Sequence, residues 1–559
     1  MKKDAAVLLF FVGISLVMTF PLVFHMAGSV PGDLGDPLYF CWALDWNVKS
    51  IVRGFSHYWD ANIYYPNDAS LAYNEHALGL SLLVLPVALL FKNPLITYNS
   101  AFLLSFILSG FGAYLLVKYL TNNRSAAVIA GVIFAFSPYR FARIYHLNIL
   151  SSEWLPFIFL CLHRYFSTKK FKDLLLCAVF FMLQVATSYN VSVYLAVIII
   201  PLLFFLIIKH ASFADKKTLF ELALTGAVCF ILLLPLVLPY IRLDAMEGTK
   251  RSIYEVINFS PDIRAYFSTH VINRLYGKIT AKYWRAEGCL FPGGIVIIMT
   301  VWLFVMYVRG KSEKAGYTGF YFLLCAWAVL LSLGPVIHYG GKALMESPYI
   351  LLYRLFPGMS GVRVPSRFGI FVVLSLSVLA GYAADRLIKE KNKTMITALI
   401  IGGLLVEYNS VPLPLAKTGK AIDPAYEWLA RDRDGYPIIE FPFSSDFEYM
   451  FASTRHDKHI FNGNPGRTPL NYPAIKEVVS SFPSEKSADM LRVLGVKYIL
   501  IHRHKYSESE YEAIRGAVEK NASVRIAKTF EKTAVYGVLP RDGVWEKKML
   551  LFPFMLRIR

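Results

Sequence analysis

The sequence predicts a polytopic α-helical membrane protein carrying a C-terminal α/β domain outside the membrane. Three observations predict it. Of the 559 residues, 56% are hydrophobic, 15% aromatic and only 17% charged, which is too apolar for a soluble chain of this length. Apolar windows near the roughly 20 residues that cross a bilayer recur along the first 410 positions. Beyond Val411 the pattern changes to short alternating helices and strands.

Taken in order, Lys2-Lys3 followed by apolar Ala5 to Phe24 fits a signal peptide or a retained span. No small-x-small cleavage signal closes it, so a retained first helix with a cytoplasmic N-terminus is expected. Further windows fall at about 98–117, 125–138, 150–166, 173–208 as a pair broken near Tyr189-Asn190, 219–240, 291–308, 316–334, 366–385 and 395–410. The stretch Ala77 to Phe91 is short and contains Pro86. If it crossed the membrane, it would invert every later loop. Lys and Arg collect on the cytoplasmic side, and Lys169-Lys170-Phe171-Lys172, Lys216-Lys217, Arg309-Gly310-Lys311 and Arg386 to Lys393 are inner loops only if this stretch dips into the outer leaflet and returns.

The outcome is about eleven spans in a transmembrane domain 1–410 with a long acidic outer loop 25–75. Outer segments follow around Arg140, at 241–290 and at 335–365, with an extracytoplasmic domain at 411–559. In that domain Pro424 to Arg431, Ser487 to Leu494 and Glu508 to Lys520 read as helices. Pro437 to Phe441, Val496 to His502, Ser523 to Thr529 and Ala534 to Leu539 read as strands.

The formal charge of +19 is carried largely by inner loops, so no nucleic-acid partner is expected; the partner is the lipid bilayer. Six cysteines, at 41, 161, 177, 229, 289 and 325, show no CxxC or His-Cys spacing, and neither a disulfide framework nor a zinc site is indicated. Topology alone allows a Cys41–Cys289 bridge. Trp42, Trp46 and Tyr39 read first as interfacial belt residues.

Two basic segments break the charge rule. Tyr139-Arg140-Phe141-Ala142-Arg143-Ile144-Tyr145-His146 and Gly361-Val362-Arg363-Val364-Pro365-Ser366-Arg367-Phe368 fall on the outer side at the ends of apolar spans. Arginine held there points to an anionic ligand such as a lipid phosphate, with snorkelling as the alternative.

The acidic outer loop opens with Gly32-Asp33-Leu34-Gly35-Asp36-Pro37-Leu38-Tyr39, followed by Trp42, Trp46 and Trp59. With Arg143-Ile144-Tyr145-His146-Leu147-Asn148, Glu153-Trp154-Leu155-Pro156 and Arg363-Val364-Pro365-Ser366-Arg367-Phe368, this order resembles the GT-C superfamily of integral membrane glycosyltransferases. That is the class of the protein O-mannosyltransferases and aminoarabinose transferases, and the resemblance is closest to uncharacterised bacterial members. His459-Ile460-Phe461-Asn462-Gly463 and Leu494-Gly495-Val496-Lys497-Tyr498 in the tail resemble theirs as well. The resemblance implies a multi-pass enzyme of the bacterial plasma (inner) membrane. It would transfer a sugar from a polyprenyl-phosphate carrier to a glycan, lipid or protein acceptor on the outer side. An outer-loop aspartate would act as base or metal ligand. Asp36 is followed by Pro37, so the paired Asp-Glu of the O-mannosyltransferases is missing.

The residue chemistry runs in parallel. Glycosyl transfer to a hydroxyl needs a base, worth typically about 10²- to 10⁴-fold, and a holder for the departing phosphate. Asp36 and Asp33 are candidates for the base, each with a turn or cap role as the alternative. Arg363, Arg367, Arg140, Arg143, His146 and Glu287 are candidates for substrate binding, Glu287 also reading as an exposed loop charge. Asp45 is expected to be structural. A divalent metal is left open. A lipid-linked sugar flippase or transporter would need basic outer residues too, but should show matching half-repeats and ionisable residues at mid-membrane. A non-catalytic envelope polysaccharide assembly protein on the same scaffold would keep the arginines without the acidic pair.

Overall fold

A computed structural model describes residues 2–540, except 249, 284–286, 312–314, 389–391, 419–422 and 465. The last residues of the expected tail domain, 541–559, and part of the basic stretch 386–393 therefore lie outside the described residues. Among the described residues, four helices are long and apolar enough to cross a membrane: Pro94–Thr121, Tyr189–Lys209, Lys216–Glu247 and Pro365–Leu387. The shorter apolar helices Leu78–Phe91, Gly294–Val308 and Gly316–Ser332 accompany them. The chain is a membrane protein.

Helix α1 (Lys2–Met18) is tied at its start to the far end of α4 (Pro94–Thr121), where Lys118 donates to both carboxylate oxygens of Asp4 at 2.6 and 2.8 Å. Near its own start α4 holds the other end of the molecule, Asn99 donating to the carbonyls of Met26 and Ser29. The basic loops gather with Lys118. Asn123 contacts Asp385, the neighbouring Arg386 reaches the Lys311 carbonyl, and Lys169 binds Ser212, Thr218 and Asp215. One end of the bundle is thus basic, as the charge pattern predicts.

Helix α2 (Asp36–Val52) starts with Asp36-Pro37, proline being suited to a first turn where its missing N–H has no partner to lose. Helix α3 (Leu78–Phe91) begins against α2, where Asn47 donates to the His76 carbonyl. It ends at the Lys92-Asn93 turn, which borders a groove shared with α2 and the C-terminal domain. Both ends of α3 therefore lie on the side of the outer loop. The apolar run 171–209 breaks at Ser188, which is extended and caps the second helix through the Val191 N–H.

Trp42 and Tyr39 are corrections to the belt expectation. Both are only 1% exposed; the Trp42 indole donates to Asn62, and the Tyr39 hydroxyl donates to the Glu75 carbonyl. They pack the long loop on itself instead of facing lipid. Cys41 and Cys289 are free thiols, each buried, so no bridge joins them.

Beyond residue 411 the chain carries a four-stranded sheet, and the predicted strands recur within a residue or two. Four of the eight strands among the described residues lie outside it: β1 (Ser29–Pro31) pairs antiparallel with β4 (Leu415–Lys417), and β2 (Val336–Tyr339) with β3 (Lys342–Glu346). The sheet order is β5 (Ile438–Phe441), β6 (Tyr498–His502), β8 (Thr533–Val538), β7 (Val524–Thr529), with β5 and β6 parallel and the other pairs antiparallel. Helices Asp446–His456 and Tyr472–Ser480, absent from the sequence reading, complete it. The domain is stitched onto the outer loop: Lys49 contacts Asp457 at 2.6 Å, and the Tyr64 and Tyr65 amides donate to the carbonyls of Asn462 and Ile460.

Candidate active site at the outer face

A cavity of about 710 Å³ opens between the outer loop, the transmembrane helices and the C-terminal domain. Asp36 lines it from the first turn of α2, and Arg363 and Arg367 line it from the segment before the helix Gly369–Leu387. Sequence positions more than 300 residues apart thus share one wall. Arg251 and Arg467 add two further guanidinium groups, Glu75 and Asp244 two further carboxylates, so arginine outnumbers acid.

Behind this wall lies a chain of charge. The His146 imidazole sits between two carboxylates, Nδ1 at 2.8 Å from Asp36 Oδ2 and Nε2 at 3.3 Å from Glu287 Oε1. Glu287 also receives Arg143 on Oε2 at 2.6 Å and Arg367 on Oε1 at 3.0 Å. Burial would lower the His146 pKa, but the bonds to Asp36 and Glu287 outweigh it and push it up to about 9. Burial would raise Glu287; Arg143, Arg367 and His146 instead hold it well below the ordinary carboxylate range. His146 is therefore an imidazolium at neutral pH, donating from both ring nitrogens. It fixes Asp36 Oδ2, while no described residue donates to Asp36 Oδ1.

The candidates part company here. Glu287, 11% exposed, is the centre of the ion cluster and not an exposed loop charge. Arg143 is consumed by Glu287, and its Nη2 also meets the Glu287 carbonyl and Ser366. Arg140 does not line the cavity: it is fully buried, with donors on the carbonyls of Ala135 and Ser105 and on Ser152. Asp33 is exposed and accepts from the Gly35 N–H, a local turn. Asp45 pairs with Lys49 at 2.7 Å on the same helix, a structural contact. Arg367 gives Nη2 to Glu287, yet its buried Nε has no acceptor. Arg363 stands over Phe259 and reaches Glu255 at 3.5 Å.

Both imidazole nitrogens face carboxylates, and among the described residues no group of three His, Cys, Asp or Glu side chains is placed to hold a metal ion. The arrangement does not fit a metal at this point.

Several lining residues escaped the sequence reading: Glu75, Asn148, Asn190, Arg251 and Arg467. Asn190 had a visible signal, a polar amide at the break of a long apolar run. Arg467 had none.

The family model described as a domain of unknown function, DUF6311, matches residues 53–406. The chain belongs to this family. The match includes His146, Glu287, Arg363 and Arg367, and leaves Asp36 and the C-terminal domain of this DUF6311 protein outside it. No curated protein matches in sequence. Among solved structures, the arabinofuranosyltransferase AftD from Mycobacteria superposes with a TM-score of 0.58 at 14% identity, over 96% of this chain and 40% of that one. The apo oligosaccharyltransferase from Archaeoglobus fulgidus gives 0.51 at 13% identity, over 96% and 75%. The DUF6311 chain thus spans about two fifths of the mycobacterial transferase. Its fold is the one these GT-C superfamily glycosyltransferases share.

Proposed function

We propose that the protein is a membrane glycosyltransferase that moves a sugar from a polyprenyl-phosphate carrier to an acceptor on the outer side of the bacterial plasma membrane. The observation that carries this reading is the convergence of Asp36, Arg363 and Arg367 on one cavity. A base and a phosphate holder must flank one anomeric carbon. The helix Lys216–Glu247 supports a lipid donor: its 32 residues extend roughly 48 Å, beyond a hydrocarbon core of about 30 Å, and only 11% of its apolar window is buried. Val237 and Ile241 of this lipid-facing helix line the cavity, giving an isoprenoid chain a route to it.

In the reaction, Asp36 Oδ1 takes the proton of the acceptor hydroxyl as that oxygen bonds to the anomeric carbon. The bond from that carbon to the phosphate oxygen breaks, and its electron pair leaves with the phosphate, which Arg367 and Arg363 hold. His146 keeps Asp36 oriented throughout. Phe447, Asn464 and Arg467 reach the cavity from the C-terminal domain, which covers the acceptor side. The N-terminus and the basic loops are cytoplasmic in this reading, and about eleven spans carry the chain out.

The test is transfer by purified protein in lipid nanodiscs, with polyprenyl-phosphate sugars and a panel of glycan, lipid and peptide acceptors. Wild-type protein should label an acceptor and Asp36→Asn should not. Absence of transfer with every donor, together with absence of carrier binding, would refute it.

A further inference from the structure

The inner end of the cavity carries a set of groups that the phosphate chemistry does not use. Glu75 is 5% exposed, and its Oε1 accepts three hydrogen bonds: from the Asn190 N–H at 2.7 Å, the Asn190 amide at 2.6 Å and the Ser188 hydroxyl at 3.2 Å. Those donors exist because the helix breaks at Ser188, turning the first N–H groups of the next helix toward Glu75. The Asn148 side chain also acts on Glu75, but Glu75 Oε2 meets no donor in good hydrogen-bonding geometry, and neither does Oδ1 of Asn148, which is 8% exposed and lines the same cavity. Two buried acceptors without donors are costly unless a ligand supplies them.

The flanking rings are fixed to present carbon. Tyr240 donates to the Asn74 carbonyl at 2.9 Å, so its oxygen can only accept from His76 Nδ1, also at 2.9 Å. Tyr189 donates to the Gly358 carbonyl. With both hydroxyls occupied, the two rings, 5.8 Å apart and 19° from parallel, form an apolar wall. Burial pushes the Glu75 pKa up more than its bonds to Asn190 and Asn148 and the Arg367 charge pull it down, and Arg367 leaves its Nε donor without an acceptor in the same cavity. The cavity is therefore polarised: a donor suited to an anion lies near two acceptors suited to hydroxyls, beside a wall suited to the C–H face of a ring.

We propose that Glu75 and Asn148 read the sugar, each accepting a hydrogen bond from a hydroxyl of a neutral sugar whose phosphate is held by Arg367. This deepens the glycosyltransferase reading and rests on it. An acidic sugar would set its carboxylate against Glu75. A cationic sugar would enter a cavity in which arginines exceed carboxylates.

The experiment measures binding of undecaprenyl phosphate, bare or carrying glucose, mannose, galactose, arabinose or 4-amino-4-deoxyarabinose, to full-length protein in nanodiscs. The tightest neutral-sugar lipid should exceed the bare carrier at least about 10-fold, and removing its hydroxyls one at a time should cost affinity at two positions. Glu75→Gln should lower sugar-lipid affinity by about 10- to 150-fold, the range of one hydrogen bond to a charged group, and leave bare-carrier affinity unchanged. Should that variant fail to fold, the deoxy series on wild-type protein decides. Equal affinity for bare and sugar-bearing carrier, equal losses on both, or preference for the amino sugar overturns the proposal while leaving carrier binding intact. Failure to bind any carrier overturns the wider function instead.

Discussion

Two histidine–carboxylate networks border cavities in this protein, one at the cavity of about 710 Å³ lined by Asp36 and one at a groove of about 1110 Å³ lined by His502, and they differ in how far their carboxylates are exposed. In the C-terminal domain, His502 Nε2 lies 2.8 Å from Glu440 Oε2, and Nδ1 lies 2.9 Å from the Thr533 hydroxyl, which donates to Asp423. Tyr426 also donates to Glu440, and Tyr449 stacks on the imidazole with centroids 4.9 Å apart. The Glu440 and His502 side chains are 0% and 3% exposed. At the candidate active site the geometry is similar, but the Asp36 side chain is 41% exposed and the His146 side chain 30%. The difference teaches that pairing alone does not mark chemistry. Glu440 Oε1 is also without a donor, but it is buried and the pair locks β5 to β6, whereas the spare oxygen of Asp36 is open to a ligand.

The comparison can be broken at several places. The largest expected effect is at Asp36: Asp36→Asn keeps shape and hydrogen bonding but not basicity, and should lower turnover by about 10²- to 10⁴-fold with little change in unfolding midpoint. Near wild-type transfer would move the base elsewhere, Asp33 being the next candidate. Glu440→Leu should do the opposite. It leaves His502 buried without its carboxylate, a loss of about 3–5 kcal/mol, read as a lowered denaturation midpoint of the full-length chain. An unchanged midpoint would mean that this network is not a keystone.

Arginine sharpens the contrast. Arg367→Ala should weaken carrier-phosphate binding by about 10- to 150-fold, the value of one charge-assisted contact, and lysine should restore it only in part. Arg140→Ala should lower stability without changing carrier affinity, since its donors are spent on carbonyls. Equal carrier affinity in both variants would make all these arginines structural.

The smallest effect is in pH. His146 is raised to about 9 from an ordinary 6.5, so its contribution to stability is complete below about 6.5 and lost as pH rises through 9. Glu287 is depressed, so its contribution is present above the ordinary carboxylate range and lost only in acid. Thermal unfolding should accordingly show a loss between pH 7 and 9 that His146→Gln abolishes.

Much of this was legible. The break near Tyr189-Asn190 and the strands of the tail are local patterns that the structure repeats within a residue or two, and four of the apolar windows recur as helices long enough to cross a membrane among the described residues. The misplaced arginines were visible because a topological rule made them anomalous, and Arg363 and Arg367 line the same cavity as Asp36. Arg140 carried the same anomaly and a different fate, because nothing local tells a guanidinium whether carbonyls or a cavity await it. Glu287 and Arg143 are 144 residues apart in sequence, and no periodicity encodes such a pairing. Trp42 and Tyr39 misled for a related reason: an aromatic suits a lipid boundary and a loop core equally well.

The β1–β4 pairing has a consequence for how the protein is made. Gly28 and Thr418, hydrogen-bonded beside that pair, stand 390 residues apart. In the proposed topology the first outer loop is translocated early in synthesis, yet its partner strand and the sheet that contacts Lys49, Tyr64 and Tyr65 follow only after the last membrane helix. Until then the aspartate-bearing loop waits without its final neighbours. Assembly of the cavity is therefore the last event of biogenesis, and a chain truncated before residue 415 should insert its helices but leave that loop sensitive to protease.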